Sequence, residues 1–153
     1  MIDPVTDCAI RQLHARYVDA VWRKDSGAFA QCWTEAARWR IAGIDARGRE
    51  AVTATFDRLI APSEAVLMLP GALLLSETLA EVVGRITVTE LIRRPGGASM
   101  RTIGRYHDRY AEEGGRWRFA ARHWDAAYRG SPSLQDEMLP REDHGPPPGM
   151  PLD

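Results

Sequence analysis

The stretch that decides the fold is MRTIGRYHDRYAEEGGRWRFAARHWDA, residues 100–126. Two runs of alternating side chains, 100–111 and 116–126, flank the turn-forming residues Glu-Glu-Gly-Gly at 112–115. In the second run, aromatic residues alternate with arginines, as a strand with one buried face requires. This stretch predicts an antiparallel hairpin whose two strands share an apolar face.

The first part of the chain has helical spacing instead. An apolar stripe predicts a first helix over residues 7–23, with Asp7 as its cap. A short second helix follows, and Asp25 or Ser26 can cap it. Residues 49–61 return to helical spacing and predict a third helix.

Strands are predicted between and after these helices. Residues 37–41 alternate as a half-buried strand with Trp39 on its apolar face, and residues 43–48 predict a turn. The apolar run 66–75 and the Val-, Ile- and Thr-rich run 78–92 predict two further strands. Together with the hairpin they predict an antiparallel meander.

Helices that precede strands in this way indicate an α+β fold. Three N-terminal helices are expected to pack on one face of a curved, antiparallel or mixed sheet, with a pocket enclosed between them. This domain is assigned to residues 1–129. Residues 130–153 have no periodic apolar pattern and predict a proline-rich C-terminal tail.

The composition argues against several classes of partner. Twenty basic and 21 acidic residues give a net charge of −1, so no overall field draws the chain to nucleic acid or to a membrane surface. Cys8 and Cys32 are too few for a disulfide framework and lack zinc-site spacing. The spacing of the histidines gives no reason to expect a metal site. The glycine pairs do not form a phosphate-binding loop, so no cofactor is expected. No segment resembles a signal peptide. A cytoplasmic protein is expected.

Several segments resemble the SnoaL-like proteins of the nuclear transport factor 2 superfamily. They are Ile10-Arg-Gln-Leu, Arg16-Tyr17-Val-Asp-Ala, Trp33-Thr-Glu-Ala-Ala and Gly104-Arg-Tyr106-His-Asp108-Arg-Tyr110. The resemblance covers about residues 8–128. It implies a cone-shaped roll of the kind found in ketosteroid isomerase, scytalone dehydratase, hexachlorocyclohexane dehydrochlorinase and polyketide cyclases. Because one fold hosts many chemistries, function has to be argued from the site.

The catalytic pair of the dehydratase and dehydrochlorinase relatives is missing. Those enzymes use an Asp near the end of helix one to orient a His on the strand after helix three. In an ungapped comparison, Trp22 and Leu69 occupy these positions. Neither side chain can accept a proton, so the resemblance implies a more apolar pocket without the dyad mechanism.

The comparison with ketosteroid isomerase is mixed. Tyr17 resembles the oxyanion-binding Tyr of that enzyme. The position of the enzyme's general base, an Asp, is occupied here by Ile41. The second oxyanion donor falls at His107 or at Asp108. Strand alternation leaves open which of these two side chains points inward.

Arg122 matches a position that faces the cavity in the dehydrochlorinase and dehydratase patterns. The sequence leaves open whether it lies at the surface, holds Asp108 across the hairpin, or binds an anion in the pocket. Trp124 follows on the same face of the strand.

These residues define two hypotheses of function. The first is a cofactor-free lyase, isomerase or cyclase for a small cyclic or polycyclic apolar substrate. Its catalytic residues are Tyr17, His107, Asp108 and Arg122, and its ligand-binding residues are Trp22, Trp39, Leu69, Tyr106 and Trp124. The alternative is a non-catalytic ligand-binding or dimerisation module, and a third interpretation is a subunit of a larger oxygenase. A homodimer through the outer sheet face is expected in either of the first two cases.

Overall fold

The structure is a computed structural model, and it describes residues 2–131. Within this range the chain forms three helices and six strands. The helices are α1 (Pro4–Arg23), α2 (Ser26–Gln31) and α3 (Arg49–Leu59). The strands are β1 (Trp33–Ile41), β2 (Ile44–Arg47), β3 (Ala65–Glu77), β4 (Val82–Arg93), β5 (Ser99–Glu113) and β6 (Arg116–Gly130).

The strands form one mixed sheet in the order β2-β1-β6-β5-β4-β3. Strands β1 and β6 are parallel, and every other neighbouring pair is antiparallel. The predicted meander is therefore present in β3 to β6, and β1 joins it through the one parallel pairing of the described sheet. Three helices packed on a single mixed sheet confirm the α+β prediction.

An aromatic core fixes the helices to one face of the sheet. Phe29 of α2 stacks on Phe56 of α3 with ring centroids 4.1 Å apart. Phe29 also contacts Trp33 of β1, and Tyr17 of α1 packs edge-on against Phe119 of β6. Fully burying one such ring stabilises the fold by roughly 1.5 to 3 kcal/mol. This cluster defines the inner face of the sheet, which is the face that the helices cover.

The predicted start of α1 and the predicted turn at residues 43–48 differ from the structure. Helix α1 begins at Pro4, with Asp3 as the cap, because proline suits the first helical turn; Asp7 instead pairs with Arg11 at 2.8 Å. Residues 44–47, predicted as part of a turn, form β2 because Ala42 and Gly43 adopt positive φ and close a tight hairpin.

Strand β6 continues to Gly130, beyond residue 126, where the second strand of the hairpin was predicted to end. Nearly all of the predicted tail, from residue 132 to 153, lies outside the described residues. No helix in the described part of the chain is long and apolar enough to cross a membrane.

Asp25 supplies the cap that starts α2. Its Oδ1 accepts a hydrogen bond from the Ala28 amide at 2.8 Å, and its Oδ2 lies 3.1 Å from Arg23. The predicted cap is confirmed for this residue.

We therefore expect Asp25→Ala to lower the free energy of unfolding by about 1 kcal/mol, because an amide at the helix start loses its acceptor. Urea denaturation measures this change. Asp25→Asn should recover most of the loss, since it keeps the acceptor and removes only the charge. Asp57→Ala, at an exposed position in α3, is the control and should stay within about 0.5 kcal/mol of the parent. An equal loss in the two alanine variants would contradict the assignment.

Candidate functional site

A buried ion pair lies at the centre of the inner face. Arg122 of β6 and Asp108 of β5 are direct partners across the two strands. Arg122 is 2% exposed, and its Nε and Nη2 donate to the two carboxylate oxygens of Asp108 at 2.8 and 3.1 Å. A two-pronged contact of this kind fixes both side chains in distance and in angle. The arrangement agrees with the sequence alternative in which Arg122 holds Asp108 across the hairpin.

Three aromatic rings surround the Arg122 guanidinium. Its central carbon lies 4.4 Å from the ring centre of Tyr17, 3.9 Å from that of Tyr106 and 4.2 Å from that of Phe119. The negative faces of the rings replace part of the water that a buried cation loses. Burial is the largest single effect and acts to lower the pKa of Arg122, but the charge and hydrogen bonds of Asp108 together with Tyr17 and Tyr106 outweigh it and raise the pKa. Arg122 is therefore permanently charged and fully engaged.

A hydrogen-bonded chain extends from Asp108 to the first helix. The hydroxyl of Tyr110 donates to Asp108 Oδ2 at 3.2 Å and lies 2.7 Å from Nε2 of His14. Because the hydroxyl proton is used on Asp108, His14 must donate through Nε2. Burial lowers the pKa of His14 to about 2, helped by the charges of Arg122 and Arg11. A neutral His14 thus fixes α1 to β5.

A second carboxyl on the inner face has no such partner. Glu90 of β4 is 8% exposed and lies between Met68 of β3 and Thr102 of β5 in the strand register. Within the described chain it forms no ion pair. Burial raises the pKa of Glu90 to about 7, against the opposing effects of Arg122 and of the Thr102 hydroxyl.

Two tyrosine hydroxyls lie in the same electrostatic environment. Burial raises the pKa values of Tyr17 and Tyr106, and the charge of Glu90 adds to both rises. The charge of Arg122 acts in the opposite direction on each hydroxyl. Both phenols therefore remain protonated.

Tryptophans form much of the surrounding wall. Trp22 of α1 donates its indole hydrogen to the Met68 carbonyl at 2.9 Å, which fixes the end of α1 to β3. Trp124 of β6 is half-buried and packs against Tyr106 at 4.9 Å between ring centres. It fits because residue 104 is glycine; a side chain there would come within 2.8 Å of the indole. Trp39 is fully buried opposite Arg122.

Most of the residues predicted for the site lie together on the inner face. Tyr17, Tyr106, Asp108 and Arg122 form one contacting group. Trp39 and Trp124 lie beside this group, and Trp22 is bound to β3 at Met68.

Two predicted residues do not belong to this group. The side chain of His107 is 48% exposed on the opposite, outer face, with Asp125 3.7 Å away, because Asp108 takes the inward position of β5. Leu69 is 49% exposed on the outer face, and Met68 takes the inward position that the ungapped comparison gave to Leu69. Methionine also cannot accept a proton, so the dyad stays absent.

Glu90 and His14 were not selected from the sequence. Glu90 lies two residues after Val88, so both side chains point to the inner face of β4. A carboxyl at a position where the alternating pattern calls for an apolar residue could therefore have indicated a buried Glu90. His14 belongs to the apolar stripe of α1, and only its contact with Tyr110 distinguishes it. Among residues 2–131, no group of three or more His, Cys, Asp or Glu side chains is arranged to hold a metal ion.

Comparisons with solved structures agree on the fold. The chain is 22% identical to a type 2 hexachlorocyclohexane dehydrochlorinase, LinA, with a TM-score of 0.79 over 89% of this chain and 94% of that one. The type 3 enzyme from Novosphingobium barchaimii is 20% identical, with a TM-score of 0.78 over 90% and 96% of the two chains. A Mycobacterium tuberculosis protein of unknown function is 25% identical, with a TM-score of 0.72 over 81% and 77%.

A comparison with protein-family models identifies the family of this chain. A search of curated proteins found no match. The family model of the SnoaL-like domain matches residues 6–123, which is most of the chain. The inner-face cluster of Tyr17, Tyr106, Asp108 and Arg122 lies entirely within that match. This protein therefore belongs to the SnoaL-like domain family.

Proposed function

We propose that this protein is a cofactor-independent lyase, isomerase or cyclase for a small cyclic apolar substrate, with Glu90 as the group that moves a proton. The observation that carries the proposal is a buried carboxyl without an ion-pair partner, set among tyrosine hydroxyls and tryptophans on the inner face. A carboxyl in this setting supplies the base that the absent Asp/His pair would otherwise provide.

The environment of Glu90 suits proton transfer. A general base works best when its pKa lies near the working pH, and burial brings the pKa of Glu90 to about 7. Its carboxylate has also lost hydration, so accepting a proton relieves an unfavourable buried charge. The carboxyl of Asp108 lacks this freedom because Arg122 and Tyr110 occupy it.

The two tyrosines supply the complementary group. Proton abstraction from a carbon acid or an elimination leaves negative charge on the substrate, and fixed hydroxyl donors stabilise such charge in a dry site. Arg122 acts as a positioning residue: its guanidinium is stacked against Tyr17 and Tyr106 and bound to Asp108, so it orients the donors without touching substrate.

The wall favours a flat or cyclic apolar substrate. Trp22 and Trp124 offer large apolar surfaces at the border of the cluster, and both are half-buried. A similar structure is that of a hexachlorocyclohexane dehydrochlorinase, whose name describes elimination from an apolar ring. The substrate class proposed here is of the same general kind.

A non-catalytic pocket is the second candidate, because Trp22 and Met68 occupy the positions at which the dehydratase and dehydrochlorinase relatives carry their catalytic Asp and His. For either candidate we propose a cytoplasmic homodimer through the outer sheet face. Exposed apolar side chains on that face, at Leu69, Ile103 and Tyr128, support a contact there.

Glu90→Gln should lower the rate of turnover sharply while the fold is retained. The probes are hexachlorocyclohexane, followed by chloride release, and cyclic ketones, followed by deuterium uptake from D2O. The parent's kcat/KM should rise with pH through about 7, and the variant should lose at least about 100-fold, the usual contribution of a general base. Glu50→Gln, on the exposed side of α3, is the control. Full activity in Glu90→Gln would overturn the proposal, whereas saturable binding without turnover in the parent would favour the non-catalytic pocket.

Tyr17→Phe tests the donor. Loss of one hydroxyl that stabilises developing charge should lower kcat about 100-fold or more, with KM nearly unchanged. Tyr128→Phe, on the exposed outer face, should leave the rate unchanged. A Tyr17→Phe variant that changes only KM would place this hydroxyl in substrate binding alone.

Glu90 should also make the fold weaker at high pH. The folded pKa of about 7 lies above the unfolded value near 4.5, so the folded state binds more protons between these values and stability falls as pH rises through this window. Glu90→Gln removes the titrating group. The variant should gain about 2 to 3 kcal/mol relative to the parent between pH 5 and pH 8, measured by urea denaturation. A constant difference across this range would show that Glu90 titrates normally.

A further inference from the structure

Strand β3 lies at one edge of the sheet. An edge strand presents amide and carbonyl groups to which another strand can bind, and natural proteins usually protect such edges. The first half of β3 is protected in this way. The Met68 carbonyl accepts a hydrogen bond from the Trp22 indole at 2.9 Å, and Pro70 has no amide hydrogen. A register shift between Pro70 and Leu73 marks a bulge, which also hinders pairing.

The second half of β3, residues 73–77, forms an open edge segment. It pairs in regular register with β4, from Leu73 with Ile86 to Glu77 with Val82. Its sequence Leu-Leu-Leu-Ser-Glu contains no proline and no charge before its last residue, and Leu74 is 62% exposed. Within residues 2–131, no strand pairs with its free side. An apolar edge without protection is a site at which strands associate.

A groove of about 430 Å³ lies between the open edge segment and the start of α1. Ile2, Asp7 and Arg11 line the groove on the helix side. Asp7 and Arg11 are paired with each other at 2.8 Å, so these two charges already have partners. Leu73 and Leu75 line the strand side and are half-buried. The groove therefore leaves room beside these leucines for the inward side chains of an incoming strand.

We infer that the open edge segment pairs in antiparallel orientation with the open edge segment of a second copy of this chain, so that the two sheets join at their edges. A two-fold axis at Leu75 keeps the pairing within residues 73–77 of both copies and avoids the bulges. In this register, Leu75 lies opposite the partner's Leu75, and Leu74 lies opposite the partner's Ser76. The pairing gives both free edges their backbone partners and packs leucines of the two copies together.

The charge pattern of the open edge segment favours a second copy as its occupant. Glu77 is the one charged residue of the segment. In the inferred register it lies opposite the partner's Leu73 instead of another Glu77, so no like charges meet across the strands. A strand with a charge at its centre would place that charge against leucine without a counterpart. The segment is therefore complementary to itself.

This contact is separate from the outer-face homodimer proposed above. Its two-fold axis is perpendicular to the sheet, whereas the stacking of two outer faces requires an axis parallel to the sheet. Perpendicular two-fold axes combine in tetramers, so both contacts can form in one assembly. The inference does not rest on the chemistry proposed for the inner face.

Sedimentation of the full chain over a range of concentrations tests the inference with two matched double variants. Leu74→Glu/Ser76→Glu places like charges opposite each other twice across the two-fold axis, and it should weaken the association at least about tenfold. Leu74→Glu/Ser76→Lys places opposite charges there and should stay within about threefold of the parent. Val5→Lys, at a position of α1 that is 78% exposed, is the control and should associate as the parent does. Leu74 and Ser76 are both exposed, and thermal unfolding of each variant near the parent temperature confirms that the fold is kept.

Hydrogen exchange gives a second readout of the edge itself. The amides of residues 73–77 that face away from β4 should exchange slowly in the parent assembly and faster in Leu74→Glu/Ser76→Glu. A parent that stays monomeric, or an equal loss of association in both double variants, would overturn the inference. So would an assembly that is unchanged in Leu74→Glu/Ser76→Glu but dissociates in Tyr128→Lys, which would show that copies meet through the outer face alone. A monomer in which these amides are protected would show that another part of the same chain covers the edge.

Discussion

The buried contact between Arg122 and Asp108 is the constraint on which the rest of the interior depends. A guanidinium that is 2% exposed is tolerated only with a carboxylate and with polarisable surroundings. Asp108 supplies the carboxylate, and the rings of Tyr17, Tyr106 and Phe119 supply the surroundings. Because these rings come from α1, β5 and β6, one ion pair determines where the first helix lies on the sheet and how two hydroxyls are oriented.

This arrangement separates two carboxyls into two roles. Both carboxylate oxygens of Asp108 accept hydrogen bonds, so this residue has a structural role. Tyr110 and His14 continue the hydrogen-bonded chain from Asp108 to α1. Glu90 has no ion pair among the described residues, and burial raises its pKa to about 7. A group that is costly to bury as an anion is a poor structural element and a good proton acceptor, which is the pattern expected of a functional residue.

Sequence patterns predicted the layers of the fold and most of the wall, because helical and strand periodicities are local properties. Tyr17, Tyr106, Asp108 and Arg122 were all selected from the sequence. The inward choice between His107 and Asp108 could not be made, since both faces of β5 carry charged or titratable side chains and register shifts interrupt its pairing with β6. Glu90 was missed because its burial depends on its neighbours in β3 and β5, whose pairing with β4 is not a local property of the sequence.

The central claim is that Glu90 is a titrating, buried carboxyl beside fixed hydroxyl donors. Carbon-13 NMR of the glutamate side-chain carboxyls, assigned with Glu90→Gln, measures this directly as a function of pH. The Glu90 signal should titrate near pH 7, above the ordinary value of about 4.5 for a glutamate. A Glu90 signal that titrates below pH 5 would mean that the carboxyl is solvated or paired, and it would contradict both the electrostatics of the interior and the proposed chemistry.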